Sequence, residues 1–341
     1  MFTAFRIRRG VLLVLLFVPF LAKADVPDKY IAVVGSEHFR IVYDSSFTWP
    51  GDEGSAKMYL PIPPETGAQH ITSFTSSIKG AVETDDSGHR MVVATLHPGG
   101  SRRVHWRVVI TGTWKIRQLE DGAPPANDPV SASGGGFLGT SDSINWKDNA
   151  FQDWLDASGL RRHSGEAAVD FAQRVYTYLH THGAYTYPPS SVWTSAACSR
   201  RIHTDCGGFS LVFVGACRAN NIPARLLVGQ CFKVRRTGDG AALTGSRQAH
   251  VIAEFLDPHL GWIPEDISSQ FLHVGGFGDL NFFGRDPGYF FAWHTDTDFF
   301  LDTPRKSNAH EQWIQNPSLW FSEDADGAND TMSHHWDIER L

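Results

Sequence analysis

The spacing of apolar residues changes along the chain, and this change limits the fold more than any other feature. Between residues 29 and 119 the apolar residues alternate with polar ones, as at Phe39, Ile41 and Tyr43. A period of two predicts strands that have one buried face and one solvated face. From Ser164 onward the spacing becomes helical, and strand-like runs return later. Strands followed by helices and then by more strands predict an α+β fold.

The same pattern predicts two folded regions joined by a connection. We expect an antiparallel β-sandwich module at residues 25–119, with turn sequences such as Asp85-Asp86-Ser87-Gly88 between its strands. Residues 120–163 are interpreted as a linker or surface crossing, since their first half is rich in Pro and Gly and poor in large apolar side chains. The second domain is expected at residues 164–341.

Helix and strand signals can be placed more closely in the second domain. One helix is predicted from Ser164, as its N-cap, to Gly183, and a second follows Asp205. Strands are predicted at 224–232, 250–256 and 289–293, and a loop at the Gly-rich stretch 238–245.

The first 24 residues have the features of a secretory signal peptide. A basic stretch ends at Arg9, an apolar run extends from Val11 to Ala22, and Ala-Lys-Ala precedes Asp25. The run is shorter than the ~20 residues needed to span a bilayer. We expect cleavage after Ala24, a periplasmic or secreted protein, and no stable membrane insertion after cleavage.

The charge of the chain argues against one class of partner. Net charge is −7 over 341 residues, and loss of the first 24 residues, with four basic and no acidic side chains, makes it about −11. Nucleic acids attract basic surfaces, so we expect no nucleic-acid partner. Metal-ligand spacings such as Cys-x-x-Cys are also absent from the sequence.

Cys206 is the first candidate for chemistry. It directly follows Asp205 at the predicted start of a helix. Backbone N–H groups and the positive end of the helix dipole favour a thiolate there and can hold an oxyanion. His250 and then Asp266 come later in the chain, on two predicted strands. A thiol nucleophile needs a base, and an imidazole base needs an acceptor that orients it.

These residues resemble the transglutaminase-like superfamily, which has a papain-like fold. The resemblance rests on DCGGFSLVFVGACRANNIPARLLVGQ from Asp205, HVIAEF from His250 and GWIPEDIS from Gly261. It implies a transglutaminase-like α+β core at residues 164–301 of a bacterial exported protein, with no cofactor. One difference lies two residues before the cysteine, where the family usually has glycine and this chain has Thr204.

The resemblance also implies roles for single residues. Cys206 is expected as the nucleophile, His250 as general base and acid, and Asp266 as the residue that orients the histidine. Asp266 is preferred to the neighbouring Glu265 because it occupies the family position. Trp193 and Trp262 are the candidates for substrate binding.

The reaction is then expected at an amide bond of a protein or peptide substrate. Water as acceptor gives a cysteine protease or amidase, and an amine gives a cross-linking transglutaminase. A non-catalytic binding module with the same fold is the third alternative. If Cys206 is a free thiol, at most one disulfide can form among Cys198, Cys217 and Cys231; a Cys198–Cys231 pair is one possibility.

Overall fold

The fold is taken from a computed structural model, which describes residues 29–99, 102–122, 136–186, 194–232, 247–272 and 282–341. Three sequence predictions lie outside these ranges. They are the signal peptide at 1–24, the loop at 238–245 and the side chain of Trp193.

Helices and strands alternate irregularly along the chain. The strands are β1 (Lys29–Thr48), β2 (Ala56–Pro61), β3 (Gln69–Ser76), β4 (Ala81–Thr84), β5 (Arg90–Leu96), β6 (Arg103–Asp121), β7 (Ala184–Tyr185), β8 (His203–Thr204), β9 (Ala224–Phe232), β10 (Arg247–Asp257), β11 (Gly261–Glu265), β12 (Arg285–Asp286), β13 (Phe290–Thr295), β14 (Phe299–Leu301), β15 (Ala309–Glu311), β16 (Ser318–Phe321) and β17 (Ser333–Arg340). The α-helices are α1 (Asn149–Ala157), α2 (Ala168–His182), α3 (Ser195–Ser199), α4 (Cys206–Ala219) and α5 (Ile267–Leu272). The predicted α+β class is confirmed, with several antiparallel sheets.

Two antiparallel sheets lie in the N-terminal region. The first has the order β12-β6-β1-β17, with β3 also on β6, and the second has the order β16-β2-β5-β4. The alternation that predicted strands is confirmed: Phe39, Ile41 and Tyr43 are buried in one apolar cluster with Met58 and Leu60 of the second sheet. The two sheets therefore pack face to face through their apolar sides.

The end of the chain belongs to these same sheets. Strand β17 pairs with β1, and β16 pairs with β2, both in antiparallel register. The predicted second domain at 164–341 thus ends in strands that complete the N-terminal sheets. Strand pairing is non-local, so the apolar pattern of residues 318–340 does not identify their partners.

A third sheet, of order β11-β10-β9-β13, supports the central helix. Helix α4 packs against β9 and β10, and every residue from Gly207 to Arg218 is buried. The helix predicted after Asp205 is confirmed, as are the strands at 224–232 and 250–256, the latter within the longer β10. The strand predicted at 289–293 lies at residues 290–295.

Two local predictions were wrong. Helix α2 begins at Ala168 after Ala167, which makes no side-chain cap, so Ser164 is not its N-cap, although Gly183 does follow its end. The predicted linker at 120–163 contains helix α1, capped by the side chain of Asp148. Only two residues of helix α1, Phe151 and Leu155, are buried. So short an apolar face is easily missed in a polar sequence.

The third sheet and the sandwich share one apolar core. Phe232, Phe291 and Trp293 of the third sheet are buried in the sandwich cluster. Gln69 of β3 accepts from the backbone N–H of Ala292 at 2.9 Å and donates to its carbonyl at 3.1 Å. Within the described ranges, no helix is both long and apolar enough to cross a bilayer.

Candidate active site

Cys206 is the first residue of α4 and is half-buried. The side chain of Asp205 accepts a hydrogen bond from the backbone N–H of Gly208 at 3.1 Å, as expected of an N-cap residue. The first N–H groups of a helix have no carbonyl partner within it. The Cys206 thiol is therefore held where backbone donors and the helix dipole favour negative charge.

Thr204, the residue that differs from the family pattern, packs against the same turn. Its side chain is buried, and a Cβ atom on Gly208 would lie only 1.8 Å from its Oγ1 atom. Thr204 also donates a hydrogen bond to the Sγ atom of Cys198 at 3.8 Å. The glycine at 208 thus makes room for the threonine at 204.

His250 and Asp266 meet at the ends of two neighbouring strands. His250 lies in β10, and Asp266 follows β11 directly, where β11 pairs with β10. The Nε2 atom of His250 is 2.8 Å from Oδ2 of Asp266. The Cys206 side chain also forms a hydrogen bond with the His250 ring, which contributes to the raised pKa of the histidine. The three side chains form one continuous chain of hydrogen bonds.

The charges of His250 and Asp266 stabilise each other. Burial lowers the pKa of His250, but the Asp266 carboxylate and then Cys206 outweigh burial, and the pKa lies well above 6.5. Burial raises the pKa of Asp266, and the charge and hydrogen bond of His250 reverse this, so the pKa falls below 3.8. The pair therefore favours the cationic form of His250 and the anionic form of Asp266.

Glu265, the competing carboxyl group, has a different environment. It is fully buried; Oε1 accepts from the backbone N–H of Ile267 at 3.2 Å, while Oε2 has no hydrogen-bond partner among the described residues. Burial and the charge of Asp266 raise its pKa well above 4.5. Glu265 is thus neutral, and the carboxylate that contacts His250 is that of Asp266.

Trp262 lies away from the three side chains. Its ring packs against the Arg225 guanidinium, 4.1 Å from the ring centre, and edge-on against Phe137. Trp262 and Asp266 are four positions apart in the sequence, about 13 Å of extended chain. The structure does not bring Trp262 to the Cys206–His250–Asp266 chain, and Trp193 lies outside the described residues.

Trp313 contacts the site and was not predicted. A Cβ atom on Gly207, next to the cysteine, would lie 3.1 Å from the Trp313 indole. The neighbouring Gln315 donates to the His250 carbonyl at 3.4 Å. No residue pattern connects position 313 with position 207, so the sequence held no signal for this contact.

The described residues also answer the questions of disulfide formation and of a metal site. None of the four cysteines, all within the described ranges, forms a disulfide, so the possible Cys198–Cys231 bridge is not formed. Burial raises the pKa of Cys198 to about 11, and that of Cys217 well above 9. Across the described part of the chain, no three His, Cys, Asp or Glu side chains are grouped so that they could hold a metal ion.

Comparison with known proteins finds similarity to one family model and to several solved structures. Residues 158–267 match the model of the transglutaminase-like superfamily. A crystal structure from Cytophaga hutchinsonii named a “Putative Cysteine Protease” is 14% identical, covers 92% of this chain and 93% of its own, and has a TM-score of 0.53. The periplasmic domain of TgpA from Pseudomonas aeruginosa is 15% identical over 69% of this chain and 90% of its own, with a TM-score of 0.35.

No curated protein sequence matches the chain. The likeness to the Cytophaga hutchinsonii protein, at its low identity, concerns the fold, and it extends over nearly the whole chain. The family match is shorter but includes all three hydrogen-bonded side chains. Residues 158–267, which include Cys206, His250 and Asp266, are therefore similar to the core of the transglutaminase-like superfamily.

Proposed function

We propose that this protein is an exported thiol enzyme that hydrolyses peptide or isopeptide bonds through an acyl-enzyme on Cys206. The single observation that carries the proposal is the continuous hydrogen-bonded chain from Cys206 through His250 to Asp266. Glu265 and Cys198 lie near these three side chains but lack the same arrangement. Glu265 is fully buried, and the Cys198 thiol contacts Thr204 rather than a base.

The proposed reaction has two steps. The Sγ atom of Cys206 attacks the amide carbonyl carbon, the C–N bond breaks, and the proton on His250 passes to the leaving amine. Water then attacks the thioester, His250 takes one of its protons, and the acid leaves as the C–S bond breaks. Backbone donors at the start of α4 are suited to hold the oxyanion in both steps. Asp266 stabilises the imidazolium.

The substrate and location are part of the same proposal. The partial exposure of Cys206 supports access by a protein or peptide substrate, and the negative net charge supports the exclusion of nucleic acids. The sequence of residues 1–24 supports export, followed by release from the membrane.

A chromogenic ester tests the acyl-enzyme without knowledge of the natural substrate. With p-nitrophenyl acetate we expect a burst of about one nitrophenol per chain, absent in Cys206→Ala, followed by slow release of acetate. Added glycinamide distinguishes hydrolysis from acyl transfer, because a transglutaminase transfers the acyl group to the amine and forms N-acetylglycinamide. A mainly amide product would contradict hydrolysis. The absence of a Cys206-dependent burst would indicate a non-catalytic binding module.

A further inference from the structure

The carboxylate of Asp266 has further hydrogen-bond partners in addition to His250. The Oγ atom of Ser269 donates to Oδ2 at 2.5 Å, and this is the same oxygen that contacts His250 Nε2. The Oδ1 atom accepts from the Ser268 hydroxyl at 2.8 Å and from the backbone N–H of Ser269 at 3.0 Å. Four donors therefore fix both oxygens of the carboxylate.

The titratable groups around Asp266 come from three other elements. His250 of β10 is its cationic partner and also contacts Cys206 of α4. Glu265 of β11 is neutral by burial. Tyr176 of α2 is also neutral, because burial and the two carboxyl groups raise its pKa far above 10. Among these groups, only His250 opposes the negative charge of Asp266 with a positive one.

We propose that Ser269 is a positioning residue of the thiol site: its hydroxyl keeps the Asp266 Oδ2 atom aimed at His250. This inference rests on the proposed function. An aspartate side chain rotates about two bonds, and one hydrogen bond to the imidazole does not fix both. The Ser269 hydroxyl holds Oδ2 from a second side. A hydrogen bond to a carboxylate also stabilises its ionised form, which is the form that stabilises the imidazolium.

Ser268 provides a control on the same carboxylate. Its hydroxyl binds the other oxygen, Oδ1, which the backbone N–H of Ser269 also holds. If the two serines only stabilise the turn that begins α5, their loss should affect His250 and Cys206 equally. If Ser269 positions Oδ2, its loss should have the larger effect.

The experiment measures the rate at which iodoacetamide alkylates Cys206 between pH 4 and pH 9, by peptide mass mapping of the full chain. In Ser269→Ala we expect about a tenfold slower reaction at pH 6 and an acid limb moved to higher pH by about one unit. Ser268→Ala should move the limb by less than half as much. Thermal unfolding of each variant reports the structural contribution separately.

A matched pair keeps the test valid if Ser269→Ala does not fold. Thr and Val have nearly the same shape, but only Thr retains the hydroxyl. Ser269→Thr should restore the wild-type pH profile, and Ser269→Val should have the displaced one. Equal pH profiles for Ser269→Thr and Ser269→Val, or equal displacements for the two alanine variants, would overturn the positioning role of Ser269. Neither result would overturn the proposed function. If Cys206 were labelled at the same rate in wild type and in His250→Ala, the proposed function would be overturned, and this inference with it.

Discussion

Two buried ionic clusters lie on strand β10, four residues apart. His250 hydrogen-bonds Asp266 in the first, and Glu254 accepts from Arg117 and Arg225 in the second, each at 2.7 Å. The carboxylates of both clusters have a pKa below the ordinary value, although burial alone would raise it. Arginine remains charged at any physiological pH, whereas imidazole exchanges its proton near neutrality. Only the first cluster can take part in proton transfer.

The second cluster has a structural position. Arg117 belongs to β6 of the sandwich, and Glu254 and Arg225 belong to the third sheet. The cluster thus joins the sandwich to the sheet that holds His250. Glu254 and Asp266, two buried carboxylates with lowered pKa values, are therefore distinguished by their partners rather than by their burial or charge.

The largest expected effect separates the clusters by activity. We expect His250→Ala to slow the nitrophenol burst by about 10²- to 10⁴-fold, because proton transfer to and from the thiol is lost. Glu254→Gln should leave the burst amplitude per folded chain unchanged, because Glu254 contacts no reacting group. A similar loss of burst rate in both variants would remove the distinction.

The reverse comparison concerns stability. We expect Glu254→Gln to lower the free energy of unfolding by about 3–5 kcal/mol, because it removes the carboxylate that two buried arginine side chains share and leaves Arg117 with the more distant Asp286 carboxyl group at 3.6 Å. Denaturant unfolding measures this change. Asp44→Asn, at the more exposed pair between Asp44 and Arg107, is the control and should have a much smaller effect. Equal effects would show that burial of the Glu254 cluster contributes nothing.

The pH dependence of stability has opposite signs at the two clusters. His250 has a raised pKa in the folded state, so its contribution is complete below about pH 6.5 and is lost as the pH rises through the folded value. Glu254 has a lowered pKa, so its contribution is complete above about pH 4.3 and is lost as the pH falls through the folded value.

Unfolding measured from pH 3 to pH 10 should therefore distinguish them. His250→Gln should flatten the alkaline side of the stability profile, and Glu254→Gln should flatten the acidic side. Each pKa unit between the folded and unfolded states corresponds to about 1.4 kcal/mol. An unchanged alkaline slope in His250→Gln would contradict the raised pKa of this histidine.

The smallest expected effect concerns Trp262, which stacks on Arg225 of the second cluster. Trp262→Ala should lower the free energy of unfolding by about 1–3 kcal/mol, through loss of apolar burial and of the cation–π contact. Trp262→Phe should recover part of this loss. We expect the Cys206 labelling rate to remain the same in both. A lower labelling rate would instead support the original prediction that Trp262 serves the substrate site.

Local patterns predicted much of the fold, and non-local pairing limited the rest. The helix after Asp205 was predictable because an N-cap and an apolar spacing are both local signals. The order of Cys206, His250 and Asp266 suggested the site, but it gave no information on the serines that hold Asp266. The pairing of β17 with β1, the Arg117–Glu254 contact and the position of Trp313 all join residues more than 100 apart.

The most direct test of the central claim is the pH dependence of Cys206 alkylation by iodoacetamide, measured by intact mass in wild type, Cys206→Ala and His250→Ala. The account predicts fast labelling at a single site below the ordinary thiol pKa of about 8.5. This labelling should be absent in Cys206→Ala and much slower in His250→Ala. Slow labelling that is the same with and without His250 would contradict the account and leave a folded protein without a reactive thiol.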